Sequence, residues 1–294
     1  MEILDGLLLV DKPEHSSSAE VVRRIKRAIR PSKIGHLGTL DPFATGLLPL
    51  CLGAATKLSQ FLMSVTKSYE GVIQLGVETD TLDPTGKVIK VVPVLDGYCS
   101  RLKALAAEFE GGYLQTPPMY SALKRNGVPL YKLARRGIEV KRNARRVSIY
   151  KLILSPEAGQ SLSFSVTCSK GTYIRTLAAD IGEALGTKAH LTKLRRTQFG
   201  RFLVHESWPL EKIEQSVIPT EIPFISMADA TKDYRTFTLN DQANASIRLG
   251  RQEPLQELPF EEKECEIARI LDDKADLVAI IVKAKQEWKL ARVF

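Results

Sequence analysis

The sequence predicts an α+β fold, and three observations carry that reading. Segments of strand length come in neighbouring pairs joined by turns, and helical-period segments lie between the pairs. The 294 residues are 44% hydrophobic and 26% charged, a composition that can fill a sizeable core. Charge also changes sign along the chain: residues 1–210 hold 30 Lys and Arg against 18 Asp and Glu, whereas 211–294 hold 12 against 16. The last observation divides the chain into a basic body of 1–210 and a small, mildly acidic part of 211–294. A boundary is expected near 207–222, where Trp208-Pro209, Pro219 and Pro223 cluster.

The elements follow in order. Leu7–Val10 reads as a short strand. Ser17 or Ser18 can cap a helix over Ala19–Ile29, where Ala19, Val22, Ile25, Ala28 and Ile29 form one face and Arg23, Arg24, Lys26, Arg27 and Arg30 the other. Residues 31–46 are rich in Gly, Pro and Thr and read as loop. Thr56 can cap a helix over Lys57–Met63. Tyr69–Val77 and Lys87–Val92 read as strands around the turn Asp83-Pro84-Thr85-Gly86, and Ser100–Phe109 as a helix. Arg146–Leu154 and Leu162–Cys168 alternate as strands, Ile174–Leu185 is helical, and residues 276–294 read as strands.

Residues 117–146, opened by Pro117-Pro118, have a different character. Nine basic residues fall between Lys124 and Arg146, with Glu139 the only acid, and Gly137 can end a short helix over Leu130–Arg136. This predicts an exposed basic arm. The net charge of +8 suits a polyanionic partner. Apolar runs such as Gly6–Val10 and Gly46–Gly53 are too short to span a membrane, so no membrane role is expected. The start at Met1-Glu2 does not read as a signal peptide. Cys51, Cys99, Cys168 and Cys265 lie far apart without a C-x-x-C pair, which fits a reducing cytoplasm and predicts neither disulfide nor zinc. His15, His190 and His205 make no metal spacing, so no metal is expected.

Two segments carry candidate chemistry. In GHLGTLDPFATGLLPL (35–50), Gly35 and Gly38 permit tight turns and Pro42 fixes the chain after Asp41, so a carboxylate is presented on a rigid loop. The same residues also describe an ordinary Asp-Pro turn. In CSKGTYIRTLAADIGEALG (168–186), a strand turns through Gly171 into a helix, with Tyr173 and Arg175 at the junction. A guanidinium held near a carboxylate would lower its pKa and keep it ionised; a structural ion pair at a helix start is the bland reading. Tyr69, at a strand start, can stack on a base or serve as a core aromatic.

Taken together these segments resemble the TruB family of tRNA pseudouridine synthases. The resemblance extends over about residues 5–205. It includes LLLVDKP (7–13), LGAATKLSQF (52–61), KSYEGVIQLGVETDTLDPTG (67–86), PPMYSALKRNGVPLYKLARRG (117–137) and AHLTKLRRTQFGRF (189–202), besides the two segments above. It implies a mixed, mostly antiparallel sheet with flanking helices and a central cleft, a flexible thumb at about 113–146, and a small, mostly-β PUA-like domain at 211–294. It implies isomerisation of uridine to pseudouridine in the T-loop of tRNA, at position 55, by a cytoplasmic monomer that needs no cofactor. Asp41 would be the catalytic carboxylate, Arg175 its partner, and Tyr69 the aromatic stacked on the target base. Tyr173 and Leu194 would line the base pocket, His36 would enter the T-loop, and Lys12 and Lys57 are basic positions expected to meet substrate. The alternative is a non-catalytic RNA-binding or RNA-folding protein, which would not need Asp41. A serine acyl-enzyme is disfavoured: Ser121 and Lys124 satisfy S-x-x-K, but Lys170-Gly171-Thr172 has the wrong order for K-T-G and no S-D-N is present.

Overall fold

The computed structural model describes residues 5–216, 222–260 and 266–294. Pro219, Cys265 and most of the acidic stretch 261–266 lie outside them. Strand Gly6–Lys12 is buried along nearly its whole length, as its unbroken apolar run requires of a strand covered on both faces. It sits within an eleven-stranded sheet among the described residues. Along the main path the order is Trp208–Pro209, Gly6–Lys12, Thr45–Leu52, Ala189–Phe199, Lys67–Leu75, Ser161–Cys168, Arg145–Glu157 and Gly111–Gln115. Only the short pairings of Val10 with Trp208 and of Arg195 with Thr45 are parallel; the rest of the path is antiparallel. The expected mixed, mostly antiparallel sheet is therefore found.

Two helices bring chemistry to the sheet. Helix Ser18–Ile29 starts at Ser17, whose side chain accepts from the Glu20 amide, and it buries Val21, Ile25 and Ile29 in the core. Helix Ile174–Ala184 lays Ile174, Leu177, Ala178 and Ile181 into the same core, packed on strand Ala189–Phe199.

Three local expectations are corrected. Residues 57–63 are split between a 3₁₀ turn, Gly53–Leu58, and one helical turn, Ser59–Leu62; the Thr56 hydroxyl donates back to the Gly53 carbonyl instead of capping. The loop 31–46 contains a short strand, Ile34–His36, paired with the end of Thr45–Leu52. The chain also stays in the main sheet beyond residue 210, because Phe224–Ser226 pairs with Gly6–Leu8. A separate four-stranded sheet then follows, Arg235–Thr238, Ile267–Leu271, Leu277–Ala284 and Glu287–Val293. Leu277 and Ile280 of that sheet share a core with Leu7, Leu9 and Leu47 of the main one.

Candidate active site

Asp41 lies on the turn between Ile34–His36 and Thr45–Leu52. That turn is pinned from two sides. Lys12 is fully buried, and its ammonium donates to the carbonyls of Pro13, Ser16 and Pro42, the last being the residue after Asp41. Arg196 is also buried; its Nε donates to the Leu47 carbonyl at 2.7 Å and its Nη2 to the Gly38 carbonyl at 3.2 Å. Strand Thr45–Leu52 can approach Arg196 this closely because residue 46 is glycine. A Cβ there would stand 2.4 Å from the Arg196 carbonyl oxygen, and φ is +99°.

Arg175 reaches the carboxylate from the first turn of its helix. Its Nε stands 2.9 Å from Asp41 Oδ2, and its Nη1 stands 3.1 Å from Asp83 Oδ2. Its Nη1 also donates to the Thr81 carbonyl at 3.0 Å, and its Nη2 to the Tyr120 carbonyl at 2.7 Å and to Asp41 Oδ1 at 3.3 Å. One guanidinium thus joins two carboxylates, a turn and the start of the arm. Asp83 is itself held by the hydroxyls of Thr81 and Thr85 and the Thr85 amide.

The electrostatics refine the expectation for Asp41. Arg175 and Lys12 do draw its pKa down, but burial is the larger effect and, with Asp83 nearby, pushes the carboxyl above its ordinary value. The side chain keeps 33% of its surface open, against 6% for Arg175, so the carboxylate is the half-buried and more open partner of a buried cation. Burial lowers Lys12 to about 8. Tyr69 is buried beside Arg196; burial pushes its phenol above the ordinary value, and the Arg196 charge opposes that rise.

The other expected residues separate into two groups. Tyr173 is the residue before the Arg175 helix, half-buried, and His36 ends its short strand with Nδ1 buried and unpartnered. Burial lowers the His36 pKa, and Arg196 adds to the effect. Leu194 and Phe43 line a cavity of about 650 Å³, whose walls also include Gly71, Phe164 and Arg195. Asp41 is not among its walls, so this cavity and the ion-paired loop are distinct features of the surface. Lys57 is not with the rest: it faces the chain end, with Nζ 3.4 Å from the Val293 carbonyl and over the Phe294 ring. Lys12 is internal, so it supports the Asp41 loop and offers no surface charge to a substrate.

Sequence reasoning missed Asp83 and Arg196. Asp83 was legible only as a turn residue, which it also is, since the Gly86 amide donates to its carbonyl. Arg196 sits in a run, Lys193 to Arg196, that reads as surface charge.

The arm leaves the sheet at Gln115 and returns at Arg145, its opposite number in the ladder. Between them lie a two-residue hairpin, Lys124–Arg125 with Val128–Pro129, and the helix Leu130–Ala134. Of the nine arm cations only Arg142 is half-buried, donating to the Pro117 carbonyl; the others are exposed. On the opposite flank Arg24 is bound to Glu214 at 2.7 and 2.5 Å, which removes it from the free cations of its helix.

The model of the TruB family pseudouridylate synthase N-terminal domain matches residues 26–174, and that of the tRNA pseudouridylate synthase B C-terminal domain matches 175–221. A tRNA pseudouridine synthase B from Hydrogenovibrio crunogenus is 40% identical over 99% of this chain and 94% of its own length. The chain belongs to the TruB family. A tRNA pseudouridine synthase B from Aromatoleum aromaticum is 49% identical over 78% of this chain and 74% of that protein. Among solved structures, one described as a Cbf5-Nop10-Gar1 complex superposes with a TM-score of 0.71 at 25% identity, covering 100% of this chain and 86% of that one. The archaeal box H/ACA sRNP Nop10-Cbf5 complex gives 0.72 at 25% identity, over 99% and 86%. The pseudouridine synthase fold inferred from the sequence is the one these structures share. Membership makes the chain a pseudouridine synthase, an isomerase, and the junction of the two family domains falls at Arg175, the residue that ties the Asp41 loop to the rest of the site.

Proposed function

We propose that this enzyme converts uridine to pseudouridine in the T-loop of tRNA, at position 55, with Asp41 as the reacting carboxylate. The observation that carries the reading is an accessible carboxylate on a loop pinned by Lys12 and Arg196 and paired with the buried Arg175. The reaction breaks the bond from N1 to C1′, turns the uracil, and forms a bond from C5 to C1′. The C5 proton is lost and N1 is protonated. Electrons balance within the substrate, so no redox cofactor is required. An ionised Asp41 beside the sugar can add to C1′ or remove a sugar proton on the way to a glycal. Both routes need it charged, and Arg175 and Lys12 supply the opposing charge.

The target base must leave its stack, which costs a few kcal/mol. Tyr69 offers a ring against which the base can stack, returning about 1–3 kcal/mol. Tyr173 and Leu194 bound the base laterally, and His36 fills space that displaced nucleotides leave. The basic arm acts as a thumb that closes on the T-arm phosphates. The part built on the four-stranded sheet, Arg235 to Val293, serves as a PUA-like RNA-binding domain. The enzyme works as a monomer, in the cytoplasm where its substrate is.

The test is conversion of an unmodified tRNA transcript carrying [5-³H]uridine, followed by tritium release and by sequencing for the modified position. Stoichiometric release mapped to position 55 supports the reading; tight tRNA binding without release replaces it with an RNA-binding or RNA-folding role. Because burial raises the Asp41 pKa, protonation begins at a higher pH than for an ordinary carboxylate. The rate should therefore fall on the acid side earlier than an exposed carboxylate would dictate.

A further inference from the structure

Gln115 is the last residue of strand Gly111–Gln115 and faces Arg145 across the ladder, so it stands at the root of the arm. Its side chain is almost wholly buried, at 1% exposure. Its amide makes a paired contact with the backbone of Tyr173: Nε2 donates to the Tyr173 carbonyl at 3.1 Å, and the Tyr173 amide donates to Oε1 at 2.7 Å. The same Nε2 donates to the Tyr113 hydroxyl at 2.5 Å. Tyr173 precedes the helix of Arg175 and has no side-chain cap of its own; its carbonyl also accepts from the Leu177 amide. Gln115 therefore behaves as a peptide unit supplied from another strand, docked on the residue that sets where the helix begins. A second tie runs the same way, from Arg175 Nη2 to the Tyr120 carbonyl within the arm.

We propose that Gln115 is a positioning residue for the reaction: it fixes the helix start that carries Tyr173 and Arg175 to the root of the arm. It touches neither substrate nor Asp41. Arg175 meets Asp41 through a single long side chain, so a small shift of the helix start moves the guanidinium off the carboxylate. Misplacement on the scale of an ångström costs about 100-fold in rate. The arm root and the acid–guanidinium pair are in this way one mechanical unit, and seating of the arm on RNA bears on the geometry at Asp41. The inference rests on the activity proposed above.

Two variants test it, with the wild-type enzyme measured in parallel on the same tRNA transcript. Gln115→Met keeps length and bulk and removes donor and acceptor together. Its single-turnover rate constant at saturating tRNA should fall by about 100-fold, while the dissociation constant for tRNA and the far-ultraviolet circular dichroism stay at wild-type values. Gln115→Glu can donate to the Tyr173 carbonyl only when protonated. Its rate should decline as pH rises across a range in which the wild type is flat, and should recover as pH is lowered again. A folded Gln115→Met enzyme with a wild-type rate constant overturns the proposal, as does a Gln115→Glu profile that superposes on the wild type. If Gln115→Met does not fold, the Gln115→Glu profile decides alone. A wild type that makes no pseudouridine overturns the functional reading itself, whereas an active wild type with indifferent variants overturns this inference only.

Discussion

Around Asp41 the cations are buried and tied; along the arm they are exposed and loose. Arg175 and Lys12 donate to carboxylates and carbonyls that were brought together from distant parts of the chain. Lys124, Lys132, Arg136 and Lys141 stand in solvent, with no side-chain hydrogen bond or ion pair among the described residues. A cation that must hold a reacting carboxylate in place has to be immobile. A cation that must follow a phosphate backbone gains from freedom and from shedding counterions. The same two residue types, Lys and Arg, serve both ends, and burial decides which role each takes.

The sharpest way to break this comparison is at the buried end. Arg175→Met should remove activity and destabilise the protein by about 3–5 kcal/mol, because Asp83 loses its counter-charge and Asp41 is left with Lys12 alone. Chemical denaturation measures this, and a stability unchanged from wild type would mean that Arg175 is not the structural hub. Asp83→Asn should be milder. It keeps the turn acceptor at Oδ1 but loses the charge facing Nη1, at a cost of about 1–3 kcal/mol and with a lower turnover. A wild-type turnover would leave Asp83 as a turn residue only.

The exposed end should respond in the opposite manner. Changing Lys124, Lys132, Arg136 and Lys141 to Gln should leave unfolding within about 0.5 kcal/mol of wild type. It should weaken tRNA binding and flatten the slope of log K against log salt by about 0.7–0.9 for each phosphate that is no longer neutralised. An unchanged slope would place the RNA elsewhere.

The smallest effect is expected at the joint between the two regions. Asp180, on the Arg175 helix, is raised to about 6 by burial, with Glu183 adding to the rise and the Tyr113 hydrogen bond opposing it. A carboxyl raised in the folded state penalises folding wherever it is ionised. Asp180→Asn should thus raise the melting temperature at pH 7.5. The gain should shrink as pH falls through about 6 and vanish below 3.8, where the group is protonated folded or unfolded. A constant gain at every pH would assign the effect to packing.

The same division explains what could be read from sequence. Helix Ser18–Ile29 declared itself through its apolar period and its Ser17 cap, and the arm through its charge, because both signals are local. Strand Ala189–Phe199 was not read, although it lies mid-sheet. Bulges near Thr192 and Thr197 break its alternation, and Lys193, Arg195 and Arg196 mask its buried side. Strand Thr45–Leu52 was hidden by Gly46 and Pro49, residues that argue against a strand. In the site, Asp41 and Arg175 were named as partners through motif resemblance, and their side chains are paired. Asp83 was not named, because its second role depends on a partner 92 positions away. Lys57 was carried over with its motif, but its side chain faces the chain end and not the site.

One measurement bears on the centre of this picture more directly than the others. Asp41→Asn enzyme in excess over an unmodified tRNA transcript should bind with wild-type affinity and form pseudouridine at least about 1000-fold more slowly than wild type. Conversion at position 55 within about tenfold of the wild-type rate, by folded Asp41→Asn protein, would contradict the role of Asp41 and with it the site built around that carboxylate.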